Sequence, residues 1–93
     1  MFVDELMVQY AEALCTASRT DPRVDVGLGP EQAAQLIEAA KAIASAHARS
    51  YVTPPDIKSA FRAYPQVEPV ADDIAAVIAQ RLALTEIPKH PKQ

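Results

Sequence analysis

The chain is built from four stretches in which apolar side chains recur every three or four residues, the spacing that puts them on one face of an α-helix. The first runs from about Val3 to Arg19, with Val3, Leu6, Met7, Tyr10 and Leu14 in register. The second runs from Pro30 to about Arg49, with Leu36, Ile37, Ala40, Ile43, Ala44 and His47 in one stripe. The third carries Ile57, Ala60 and Phe61 and ends near Tyr64-Pro65. The fourth begins after Pro69 and shows Val70, Ile74, Val77, Ile78 and Leu82. The pattern predicts an all-α chain, a small four-helix bundle.

The polar residues at the ends agree. Pro22 stops the first helix and Arg19 suits its C-terminal dipole. Gly29 is a permissive cap before Pro30, a favoured first helical residue. Thr53-Pro54-Pro55-Asp56 reads as a capping box, with Asp56 in place of Glu or Gln. Asp72 and Asp73 fall in the first turn of the fourth helix and Arg81 in its last. Glu38 and Lys41, three apart, are spaced to pair weakly.

Between the first two helices, Thr20 to Pro30 holds both of the chain's glycines, and so long a connection tends to be functional or disordered. Val24–Val26 and Tyr51-Val52 are the candidates for a short extended pair. Residues 1–84 are expected to form one domain, and 85–93, with Lys89, His90 and Lys92, a flexible tail.

Composition narrows the function. Of the 93 residues 49% are apolar, many of them alanine, and the net charge is -3, the wrong sign for a nucleic-acid footprint. No apolar run approaches the roughly 20 residues of a membrane span, and Asp4 and Glu5 stand where a signal peptide needs basic residues. The lone Cys15 excludes an internal disulfide, so a cytoplasmic location is expected.

Enzymatic chemistry needs converging nucleophile, base and anion-stabilising groups. The sequence has no phosphate-binding glycine loop, CxxC or HExxH. His47 reads as a part-buried or surface helix residue, Cys15 as an inert buried thiol, and Asp72-Asp73 as helix-start acids, since adjacent helical positions diverge. Neither catalytic nor metal-binding residues are expected.

Three strings carry a resemblance: Gly27-Leu-Gly-Pro-Glu31, Ile37-Glu-Ala-Ala-Lys-Ala-Ile-Ala44 and Arg49-Ser-Tyr-Val-Thr-Pro-Pro-Asp-Ile57. Preceded by Ala17-Ser18-Arg19 and Asp21-Pro22, they resemble the C-terminal helical lid of MoxR-type AAA+ ATPases over about Leu6 to Phe61. The resemblance implies a non-catalytic lid of the AAA+ type that packs on a nucleotide-binding domain, in the same or another chain of a ring, and relays its nucleotide state. ATP and magnesium belong to the parent ATPase and none to this chain. Arg19, Gly27, Gly29, Pro30 and Glu31 would then lie nearest the nucleotide. The family's Ser-Pro-Arg, whose arginine is the second sensor, reads Gly29-Pro30-Glu31 here, and the glycine before Arg49 is Ala48. A glutamate repels a phosphate, so the sensor is expected to be lost. As a plain structural matter, Glu31 also suits a helix's first turn and Arg19 a last one. Two alternatives remain: a stand-alone helical protein-interaction module, and a histone-like fold, for which a middle helix of about 19 residues is short.

Overall fold

The computed structural model describes residues 1–84; the tail expected over 85–93, with Lys89, His90 and Lys92, lies outside the described residues. Four helices form: α1 (Glu5–Thr20), α2 (Pro30–Ala46), α3 (Pro54–Arg62) and α4 (Ala71–Arg81), the last entered through a 3₁₀ turn at Glu68–Val70. The all-α bundle is as the apolar spacing predicts.

α1 and α3 each touch all three other helices. Leu14 and Cys15 of α1, Leu36 of α2, Ile57 and Phe61 of α3 and Ile78 of α4 meet in one core, each at most 1% exposed. Burying each large apolar side chain contributes about 1.5–3 kcal/mol. Ala33, Ala40 and Ala44 form the inward row of α2 with Leu36, and their small size lets α1 and α3 approach its backbone. α4 turns Ala71, Ile74, Ala75 and Ile78 inward and leaves Val77 exposed.

The helix starts follow their sequence signals. The Asp4 carboxylate accepts the Leu6 N–H at 3.1 Å. At α3, Asp56 accepts the Thr53 N–H at 2.9 Å while Thr53 Oγ1 accepts the Asp56 N–H at 3.4 Å, a reciprocal capping box built with Asp.

Two expectations are corrected. Tyr51 does have an extended partner, but it is Phe2 and not Val24–Val26: Phe2 donates to the Ser50 carbonyl at 2.8 Å and Val52 to that of Phe2 at 3.1 Å. In that stretch Asp25-Val26 forms a bend instead, with Val24 buried and Val26 exposed. The second difference is at the end of α2, which stops at Ala46 and leaves His47 exposed. There Ala48 adopts φ 59°, and the chain closes through Ala48 N–H to Ser45 O (2.9 Å) and Arg49 N–H to Ala44 O (2.9 Å). This is a Schellman stop made with alanine where glycine is usual. At 17 residues α2 is barely longer than α1 at 16, so among the described residues the long central helix of the histone-like alternative is not present.

Candidate functional site

The junction between α1 and α2 turns on Leu28. Its side chain is fully buried, and both of its backbone groups are held by α1. The Ser18 hydroxyl accepts the Leu28 N–H at 2.9 Å and donates to the Cys15 carbonyl at 2.6 Å. The Arg19 Nη1 donates to the Leu28 carbonyl at 2.6 Å, and its Nη2 to Thr16 Oγ1 at 3.2 Å. Two adjacent side chains at the end of α1 thus grip both sides of one residue ahead of α2.

Gly27 makes this grip possible. Its α-carbon lies so near α1 that an added β-carbon would sit within 3 Å of the Arg19 backbone, a space only glycine fits. Gly29 is in ordinary extended backbone (φ -84°) and caps α2, its N–H donating to Gln32 Oε1 at 2.6 Å and its carbonyl accepting the Gln32 N–H at 3.0 Å. Pro30 and Glu31 begin the helix exposed to solvent. The Glu31 carboxylate folds back over Gly29 and would lie 2.8 Å from a β-carbon there.

Arg19, Gly27, Gly29, Pro30 and Glu31 therefore share one end of the bundle, where α1 finishes and α2 starts. Their charges are felt at Cys15. Burial pushes the Cys15 thiol up to about 11, with Arg19 opposing the rise and Glu31 and Glu12 adding to it. A thiol so protonated and 1% exposed is inert. Ser18 was not among the expected site residues. The available signal was its position four after Leu14 on the inward face of α1: a hydroxyl there must find a partner.

A second polar construction fixes the link between α2 and α3. Arg49 donates through both terminal nitrogens to Asp56, Nη2 to Oδ1 at 2.8 Å, and its guanidinium lies 5.9 Å from the Tyr51 ring centre. Asp56 is 2% exposed. Burial alone would raise its pKa, but the bonds from Arg49 and Thr53 outweigh burial and hold it below the usual carboxylate range. The Arg-x-Tyr-Val-Thr-Pro-Pro-Asp string is thus one unit of structure: arginine and aspartate close a clamp around the extended Tyr51-Val52 link.

The other polar residues take structural places. The His47 Nδ1 lies 3.0 Å from the Ile43 carbonyl. Asp73, in the first turn of α4, accepts Arg23 Nη1 at 3.0 Å, while Arg23 also grips Asp21, so the connection is tied to α4. Among the described residues no three His, Cys, Asp or Glu side chains are grouped to hold a metal, and no helix is long and apolar enough to cross a membrane.

Compared with known proteins, the chain matches no curated protein and no solved structure. One family model does match, that of the AAA lid domain, over residues 16–64, just over half of the chain. The matched span opens at Thr16, beside the Ser18–Arg19 grip, crosses the whole of α2 and the Arg49–Asp56 clamp, and closes at Tyr64 after α3; by it, this chain belongs to the AAA lid domain family.

Proposed function

We propose that this domain is the C-terminal lid of a MoxR-like AAA+ ATPase that packs on a nucleotide-binding domain, follows its nucleotide state, and does so without a second-sensor arginine. The lid role is the family's own. The finer reading is supported by one observation above all. The end of α1 and the start of α2 are joined rigidly through Leu28, with Arg19 and Glu31 both exposed at that end. A helix start presents backbone N–H groups and positive dipole to an anion. Here a glutamate occupies its second position, so a phosphate approaching along α2 meets a like charge. Nucleotide state would then reach this lid through its contact with the nucleotide domain and not through a direct bond from α2. The parent protein would supply ATP, magnesium and the catalytic groups.

The test is an amide-resolved NMR titration of the 93-residue chain with ATP and magnesium, beside the Glu31→Arg variant. The unmodified chain is expected to show no shifts over residues 27–32, and the variant to show shifts confined to those residues and Arg19. Shifts there in the unmodified chain would overturn the loss of the sensor. Silence in both would remove the nucleotide-facing assignment of this end.

A further inference from the structure

One surface is not accounted for by nucleotide sensing. Between α1 and α2 runs an open groove of about 320 Å³ whose apolar lining includes Val8, Ala33, Ala34 and Ile37, with Glu12 of α1 and Glu38 of α2 beside them. Helical register extends the pattern on each helix. Glu5, Val8 and Glu12 are spaced three and four apart on α1, and Glu31, Ala34 and Glu38 are spaced identically on α2, so each helix sets two glutamates on one face with an apolar residue between. All four glutamates are exposed. Lys41 pairs with Glu38, its Nζ 3.0 Å from Glu38 Oε2 in an exposed i,i+3 pair. Such pairs are weak and exchange readily. At the far end the Arg19 guanidinium is turned to the Leu28 carbonyl and Thr16.

An apolar lining with glutamates beside it on both helices is complementary to one kind of occupant. We infer that the α1–α2 groove docks a basic amphipathic helix of a partner protein, with small aliphatic side chains on the apolar lining and lysines or arginines against Glu12 and Glu38. Helix-in-groove binding takes its affinity from the apolar face and its orientation and partner choice from flanking charges. The glutamate rows specify a cationic partner and reject an acidic one. The inference rests on the lid reading only for where the groove sits in an assembly. The ATP titration reads the start of α2, whereas the experiment below reads the groove, so each can fail alone.

The probe is a synthetic amphipathic helix with leucine and alanine on one face and lysine on the other, titrated into the full chain and followed by amide shifts and anisotropy. A matched peptide with glutamate in place of lysine is the control. The lysine peptide is expected to shift Val8, Glu12, Ala34 and Ile37 while leaving the α4 surface unmoved, and the glutamate peptide to shift nothing. Glu12→Lys with Glu38→Lys should weaken binding by about tenfold or more, as lost charge pairs do. Ala34→Glu separates the groove from general attraction. It adds negative charge but puts a bulkier, polar side chain in the apolar lining, so the groove predicts weaker binding and bulk attraction predicts stronger. Stronger binding by Ala34→Glu, or an equal loss from Glu68→Lys on the distant 3₁₀ turn, would overturn the proposal.

Discussion

The backbone of Gly27 lies against that of Arg19: a β-carbon at position 27 would come 2.6 Å from the Arg19 α-carbon and 2.8 Å from its nitrogen. Backbone cannot yield as a side-chain tip can. Gly27→Ala is therefore expected to cost about 1–3 kcal/mol, the usual penalty for overpacking, and to lower Tm by roughly 5–15 °C in a domain of this size. Gly29→Ala meets only the mobile carboxylate of Glu31 and should change Tm far less. Differential scanning calorimetry of the two variants checks both; an equal effect would contradict the close approach at Gly27.

Ser18 supplies the next prediction. Ser18→Ala leaves the buried Leu28 N–H without its acceptor, a loss of about 1–3 kcal/mol. Amide exchange is the direct readout. The Leu28 N–H should exchange far faster in the variant while the amides in the middle of α3 stay protected. Unchanged protection at Leu28 would show that the hydroxyl does not hold the loop.

The Arg49–Asp56 clamp predicts the acid limb of stability. The folded-state pKa of Asp56 lies below its usual value, so its contribution is complete above the unfolded value of about 4 and is lost as pH falls through the lower folded value. Removing one partner of a fully buried pair costs about 3–5 kcal/mol; Arg49 is only partly buried, so the loss here is smaller. Asp56→Asn is expected to be less stable at neutral pH and to lose less on acidification than the unmodified chain. Arg49→Lys should fall between them, because an ammonium cannot make the forked contact. Denaturant midpoints from pH 7 to pH 2 decide this; parallel pH profiles would rule the clamp out as the source.

Two helices end on alanine at positive φ, Ala48 at 59° and Ala83 at 57°. Left-handed backbone costs an L-residue about 1–2 kcal/mol, from which the entropy lost by glycine is subtracted. Ala48→Gly and Ala83→Gly should each stabilise the chain by about 0.5–1 kcal/mol, measurable as higher denaturant midpoints. A lower midpoint in either would mean the stop is not strained.

These alanines also show where the sequence was opaque. The ends marked by special residues were legible: Pro30 opens α2, and Thr53-Pro54-Pro55-Asp56 caps α3. The end of α2 was not, because alanine gives no sign of a left-handed turn and the apolar stripe runs on through His47. The Phe2–Tyr51 bridge was equally hidden, since one pair of residues has no periodicity to read. The candidate site was partly legible. The two glycines and Arg19 drew the eye to the α1–α2 connection, but that Arg19 and Ser18 hold opposite sides of Leu28 depends on how the connection folds back, which spacing does not encode. Arg49 and Asp56 stood in view as a familiar string, yet their pairing required the extended link between them to be known.

The two-sided hold on Leu28 has a mechanical consequence. A junction gripped through only a side chain can swivel, as a ball turns in a socket. Here both peptide groups of Leu28 are also bonded to α1, so pivoting the beginning of α2 against the end of α1 stretches the Ser18 and Arg19 bonds together. A displacement of either helix therefore loads these two bonds before it separates the helices.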